Sequence, residues 1–313
     1  MSPADERRVN VSAAEFRELF DAVSNWGRWG EEDELGTLNE LGADQVVGAA
    51  GLVRAGERVT LSLAMDTEKR VDNPNPAVHR MTQLHDTEAG SGLRFATDYV
   101  GADYHHDAHT HIDALCHVAF EGALYNGRPA GAYTSDGAAA NTIEVVRRGL
   151  VGRGVLLDVP RLRGVPWLEP GDHIFAEDLE GAERAQEVTV GKGDILLVRT
   201  GHVRRLRELG PWDTAQAKAG LHPTTMLLLA ERRIAALASD GNSDTAPSKT
   251  EGVGFPVHAL ALNAMGLHLL DYLQFEDLVQ ACERLGRWEF LFVGAPLRIV
   301  GGTGSPLNPI AIF

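Results

Sequence analysis

Cysteine is nearly absent from this 313-residue sequence, which has only Cys116 and Cys282. Two thiols are too few for the disulfide framework of a secreted domain, and their spacing is not that of a zinc-thiolate site. The expected compartment is a reducing cytoplasm. Basic residues are also short, with 29 Lys and Arg against 44 Asp and Glu and a formal net charge of -15. Phosphate backbones and anionic membrane surfaces would be repelled by that balance, so neither nucleic acid nor membrane is an expected partner. No run of about 18 apolar residues occurs to span a bilayer. The opening MSPADERRVN lacks the apolar core of a signal peptide.

Two catalytic signatures are missing as well. No G-x-S-x-G nucleophile elbow occurs. Gly191, Gly193 and Gly201 do not follow the G-x-G-x-x-G order of a dinucleotide site, and they read as turns at strand ends. Cys116 adjoins His117, but chain neighbours seldom face each other, which argues against a thiol nucleophile.

What is present suits a large packed core, since 44% of the residues are hydrophobic. With no repeat or linker in view, the expectation is one domain over 1–313 with a helical extension over 1–55. Ser12 and Glu15 have capping-box spacing, and Phe16, Leu19, Phe20 and Val23 recur at helical intervals, which predicts a surface or interface helix. Asp44 is placed to cap a second helix running to Leu52, and Val59 to Leu63 alternates as a strand. Residues 66–92, with Asn73-Pro74-Asn75-Pro76, read as a long loop of the kind that forms a lid. His79 lies within it.

Apolar runs at Val155 to Val159 and Ile195 to Val198 predict buried strands joined by a peripheral connection. A helix from Thr224 to Ile234, a short strand to Ala238 and a loop over Ser239 to Thr250 follow, in which Asp240 and Asp244 read as turn residues. A last helix after Gln274 and a strand from Leu291 lead to a glycine- and proline-rich tail. Local pattern alone therefore predicts an α/β fold.

The chemistry concentrates between Tyr104 and His117, in the run YHHDAHTHIDALCH. Neutral imidazole and carboxylate are ligands suited to Zn, Mn or Fe, and His111 with Asp113 two residues on could present both groups to one ion from an extended segment. For a single member such as His105, decoration of a loop is the better reading. For the whole cluster it is not, because burying several ionisable groups without a partner or a metal is costly. His79, His85, His202, His222 and His268 are scattered singly and read as structural.

The cluster resembles the signature HxGTHxDxPxH of the metal-dependent cyclase family, whose members include bacterial kynurenine formamidase and isatin hydrolase. Further similarity lies in Asn25 to Gly30 with Asp33 to Asn39, Tyr125-Asn126-Gly127, Gly193 to Gly201, Pro256-Val257-His258 and Gly301 to Pro309. The resemblance implies a mixed sheet curled toward a barrel with flanking helices, and a homodimer or homotetramer. It implies a divalent cofactor, Zn or Mn, held by His111 and Asp113, with His258 and Asp271 completing the site and His117 as catalytic acid/base. Asp107 stands where the signature has histidine, and Asp107, His106 and His109 all remain open as the further ligand.

The function implied is hydrolysis of an amide, a cyclic amide or a lactone of a small molecule, in which metal-activated water attacks the carbonyl and His117 moves the proton. Two alternatives belong to other classes. One is a metal-depleted homologue that only binds a small ligand, suggested by Asp107; the other is a ring-closing or dehydrating enzyme of secondary metabolism.

Overall fold

A computed structural model describes residues 9–88 and 92–313. Eleven strands build the frame: β1 (Arg58–Thr60), β2 (Val78–Glu88), β3 (Arg94–Gly101), β4 (His111–Asp113), β5 (Leu150–Asp158), β6 (Ile195–Arg199), β7 (Ala236–Ser239), β8 (His268–Asp271), β9 (Glu289–Gly294), β10 (Gly304–Pro306) and β11 (Ile310–Ile312). Nine of them form one curled, mixed sheet in the order β1-β11-β9-β5-β6-β7-β8-β4-β10. The four central strands β5, β6, β7 and β8 run parallel, and antiparallel strands flank them on both sides.

Parallel neighbours require crossovers, and each crossover here carries helix. The helices are α1 (Ala13–Val23), α2 (Ala43–Ala50), α3 (Val159–Arg163), α4 (Ala176–Gln186), α5 (His202–Leu209), α6 (Thr225–Arg232), α7 (Pro256–His258) and α8 (Glu276–Leu285), and a π-helical segment over Ala259–Met265 continues α7. The connection expected to be merely peripheral between β5 and β6 contains α3 and α4. Because side chains alternate across a strand, β5 sends Val155 and Leu157 to one core and Leu156 to the other. Both faces of the central strands are thus covered, which is why these strands read as continuous apolar runs.

The capping box at Ser12 and Glu15 forms, and α1 buries Phe16, Leu19, Phe20 and Val23. These residues belong to the chain's own core beside Leu260 and Ala264, while Glu15, Glu18 and Asp21 are exposed, so α1 is a surface helix whose apolar face packs on its own chain. Asp44 lies in the first turn of α2, whose N-cap is Gly42. The segment after α1 hooks onto the π-helical stretch through Asn25 Nδ2 to Met265 O (2.9 Å) and Trp26 Nε1 to Asn263 O (2.7 Å). Asn126, at φ 62°, accepts from Gly27 N and donates to the carbonyls of Gly30, Glu31 and Asp33. Two of the segments that resembled the family therefore clasp each other.

The expected long loop is corrected over 78–88, which pairs with 94–101 as a hairpin. Val78, Met81 and Leu84 are about half exposed or more, at 52%, 46% and 67%. With no buried face, the hairpin has no reason to show the period-2 alternation that marks a strand in sequence. The glycine- and proline-rich C-terminal tail contains β10 and β11.

Candidate metal and catalytic site

The site forms where four segments meet on one face of the sheet. On the extended strand β4, His111 and Asp113 share a face while Ile112, wholly buried, turns to the core behind. The ladder pairs Asp271, at the C-terminal end of β8, with His111, and Gly304 of β10 with Asp113. Directly paired residues point the same way, so the Asp271 carboxylate joins the other two. His258 arrives from α7, in the crossover between β7 and β8. His105 and His117 come from the segments before and after β4. A Cβ at Gly304 would lie 2.5 Å from Ile112 O and 2.8 Å from His105 Cε1, so the glycine leaves the room that the imidazole occupies.

These groups fall into two overlapping sets that share Asp113. Donor atoms of His105, His111 and Asp113 lie within 4.8 Å of one another, and so do those of Asp113, His258 and Asp271. His105 Nδ1 is 2.8 Å from Asp113 Oδ1, His111 Nε2 is 3.5 Å from Oδ1, and His258 Nε2 is 3.5 Å from Oδ2 and 3.6 Å from Asp271 Oδ2. Despite this crowding, neither Asp113 oxygen has an aligned hydrogen-bond partner, nor has His105 Nδ1. A wholly buried carboxylate left in that state costs several kcal/mol unless a cation compensates it. The donor set, imidazole nitrogen with carboxylate oxygen, suits Zn or Mn.

Surrounding groups aim the donors. His111 Nδ1 donates to the His109 carbonyl at 2.8 Å, which leaves Nε2 with its lone pair toward Asp113. His258 Nδ1 lies 2.6 Å from Asp244 Oδ2, and the same carboxylate accepts from Val257 N and His258 N at 2.7 and 3.0 Å. Asp244 thus holds both the start of α7 and the orientation of its histidine. Ser243 Oγ donates to Asp271 Oδ1 at 2.7 Å, and the His105 Nε2 end is held by Thr303 Oγ1 at 3.0 Å.

Electrostatics follow from this packing. Burial would raise the Asp113 carboxyl, but His117 and His111, then His105 and His258, outweigh it and hold it well below the usual range. For His258, burial is opposed by Asp113, Asp244 and Asp271, which push the imidazole well above its usual value. Asp271 is raised, mainly by burial. The positive charge that these carboxylates draw onto His258 marks the place where a divalent cation would serve them. His117 stacks on His105 at 3.9 Å between centroids and 4° between planes. Burial, joined by the neighbouring imidazoles, lowers it to about 4, so it is a neutral imidazole at pH 7.

Of the expected residues, the structure brings together His111, Asp113, His258, Asp271 and His117. Asp107 is not among them. Its carboxylate faces Lys218 Nζ at 3.5 Å, and the third nitrogen beside Asp113 comes from His105, the histidine read as decoration. His106 points away to Asp103 and Asn75, and His109 is buried with neither ring nitrogen bonded. The strand pairing to Gly304 and the support from Thr303 select His105, and neither is visible in local spacing. Asp244, read as a turn residue, was also missed. The D-x-x-x-D spacing from Asp240 gave no clue to a histidine fourteen residues further on.

Residues 59–244 match the family model described as "Putative cyclase". A crystal structure described as a novel cyclase is 34% identical, with a TM-score of 0.85 over 93% of this chain and 99% of that one.

The chain belongs to the cyclase family.

The fold is also that of more distantly similar solved structures. Isatin hydrolase A from Labrenzia aggregata, bound to benzyl benzoate, is 20% identical with a TM-score of 0.60 over 86% of this chain and 97% of that one. A predicted metal-dependent hydrolase from Bacillus stearothermophilus is 18% identical with a TM-score of 0.50 over 82% and 97%. No curated protein matches. Among the described residues of this cyclase-family protein, no helix is long and apolar enough to cross a membrane.

Proposed function

We propose that this cyclase-family protein is a metal-dependent hydrolase acting on a C–N bond of an amide or cyclic amide, or on a lactone. The observation that carries the reading is Asp113, wholly buried, with neither oxygen in an aligned hydrogen bond and ringed by His105, His111, His258 and Asp271. Those five residues would hold a divalent ion, Zn or Mn. Such an ion supplies a water of lowered pKa and polarises the substrate carbonyl.

The rest is done by the chain. Asp244 and the His109 carbonyl keep the Nε2 atoms of His258 and His111 available, the arrangement typical of metal-binding imidazoles. His117, neutral and stacked against His105, is positioned to take a proton and return it to the leaving nitrogen or oxygen. The names of the isatin hydrolase and of the metal-dependent hydrolase agree with this reading. A binding-only homologue was suggested by Asp107, and His105 removes that motive by restoring a nitrogen donor.

The test is removal of the ion. Chelator-stripped protein, checked by elemental analysis, and Asp113→Ala should both lack turnover on a panel of formamides, cyclic amides and lactones that the metal-loaded protein hydrolyses. Full activity in verified metal-free protein would refute the mechanism.

A further inference from the structure

Asp107 stands at the signature position that elsewhere in the family carries histidine, yet its surroundings here are of another kind. Lys218 Nζ lies 3.5 Å from Oδ2, and the side chains of Thr214 and Tyr272 are its hydrogen-bonding neighbours. Lys218 also donates to Tyr272 Oη at 3.4 Å. The pair is unevenly buried: the lysine side chain is 4% exposed and the aspartate 21%. The ammonium is enclosed and the carboxylate keeps an open side. A carboxylate offers about four lone-pair positions. Its exposed side leaves room for a further donor.

The cluster borders the candidate metal site across single aromatic rings. The Tyr272 ring, next in sequence to Asp271, lies 6.3 Å from the His111 ring at 27°. Phe255, half exposed, has its ring 5.8 Å from Lys218 Nζ and 5.7 Å from the His258 ring. An ammonium enclosed without its counter-charge would be strongly unfavourable, so Lys218 keeps Asp107 ionised and stationary. A stationary ionised acceptor beside a reaction centre discriminates by demanding a donor, because a substrate lacking one leaves it desolvated and unpaired.

We infer that Asp107 is a specificity residue that accepts a hydrogen bond from an N–H of the substrate. Resting on the hydrolase reading above, this selects amides, lactams and formamides with a free N–H, and disfavours lactones.

The experiment uses the metal-loaded full chain and matched pairs, a lactam and the lactone of the same ring. The variants are Asp107→Asn and, to avoid leaving an enclosed ammonium unpaired, the double replacement Asp107→Leu with Lys218→Met. The lactam-to-lactone ratio of kcat/KM should fall by at least about 10²-fold in the double variant and by less in Asp107→Asn, whose amide keeps one acceptor oxygen, with metal content unchanged. Equal losses on the two substrates would overturn the inference, as would loss of bound metal, which would make Asp107 a ligand. If wild type hydrolyses neither compound, the hydrolase reading falls, and calorimetry on the same pairs decides this one. Lactam binding at least about 10-fold tighter than lactone in wild type alone supports it; equal binding overturns it.

Discussion

Replacing Asp244 by asparagine removes one charge from beneath His258 while keeping the shape of the side chain. In the native protein the carboxylate accepts from His258 Nδ1 at 2.6 Å and from two backbone amides at 2.7 and 3.0 Å. Asparagine has one acceptor oxygen for these three donors and an NH₂ that must face at least one of them. If the oxygen takes the Oδ1 place and stays with Val257 N, the NH₂ faces both His258 N and Nδ1, the imidazole proton moves to Nε2, and the lone pair directed at Asp113 and Asp271 is lost. Loss of such a supporting partner weakens metal affinity by about 10- to 100-fold, or about 1.4–2.7 kcal/mol. Competition titration against a chelator of known affinity reads this directly, with thermal unfolding of the metal-free protein to separate local from global effects. Native metal affinity in a folded Asp244→Asn variant, with His258→Ala still losing the ion, would refute the orienting role.

His117→Asn should retain metal while losing roughly 10²- to 10⁴-fold in rate, less on an activated ester whose leaving group needs no proton. Loss of metal together with rate would make His117 a ligand. Gly304→Ala should cost about 1–3 kcal/mol by overpacking and weaken metal binding by displacing His105, whose Cε1 would sit 2.8 Å from the new methyl; native melting temperature and native affinity together would count against this. Burial lowers His202 and His268 to about 4, so below the unfolded value of about 6.5 only the unfolded chain takes up their protons. Their stabilising contribution is complete above that pH and is lost as pH falls toward 4, at up to about 1.4 kcal/mol per pH unit for each ring. Denaturant unfolding of metal-free protein between pH 7 and 4 should show this slope, reduced in His268→Gln, and an unchanged slope in the variant would contradict it.

Where a pattern is local, the residues alone determined the outcome. The capping box and apolar spacing of α1 specified that helix, and the apolar runs of β5 and β6 specified buried strands, because periodicity and burial are set within a few residues. His111 and Asp113 were legible for the same reason, since alternation on an extended strand puts both on one face. His258, Asp271 and His117 were legible only through resemblance. The exposed hairpin of β2 and β3 carried no such signal, having no core to impose alternation. Tertiary structure decided which further histidine faces Asp113 and what Asp107 does instead. His105 is admitted by a glycine 199 residues away and held by Thr303. Asp107 is claimed by Lys218, brought to it by the folded chain rather than by sequence neighbourhood. Such choices depend on distances between segments remote in sequence, and only the packing of the sheet and its crossovers sets those distances.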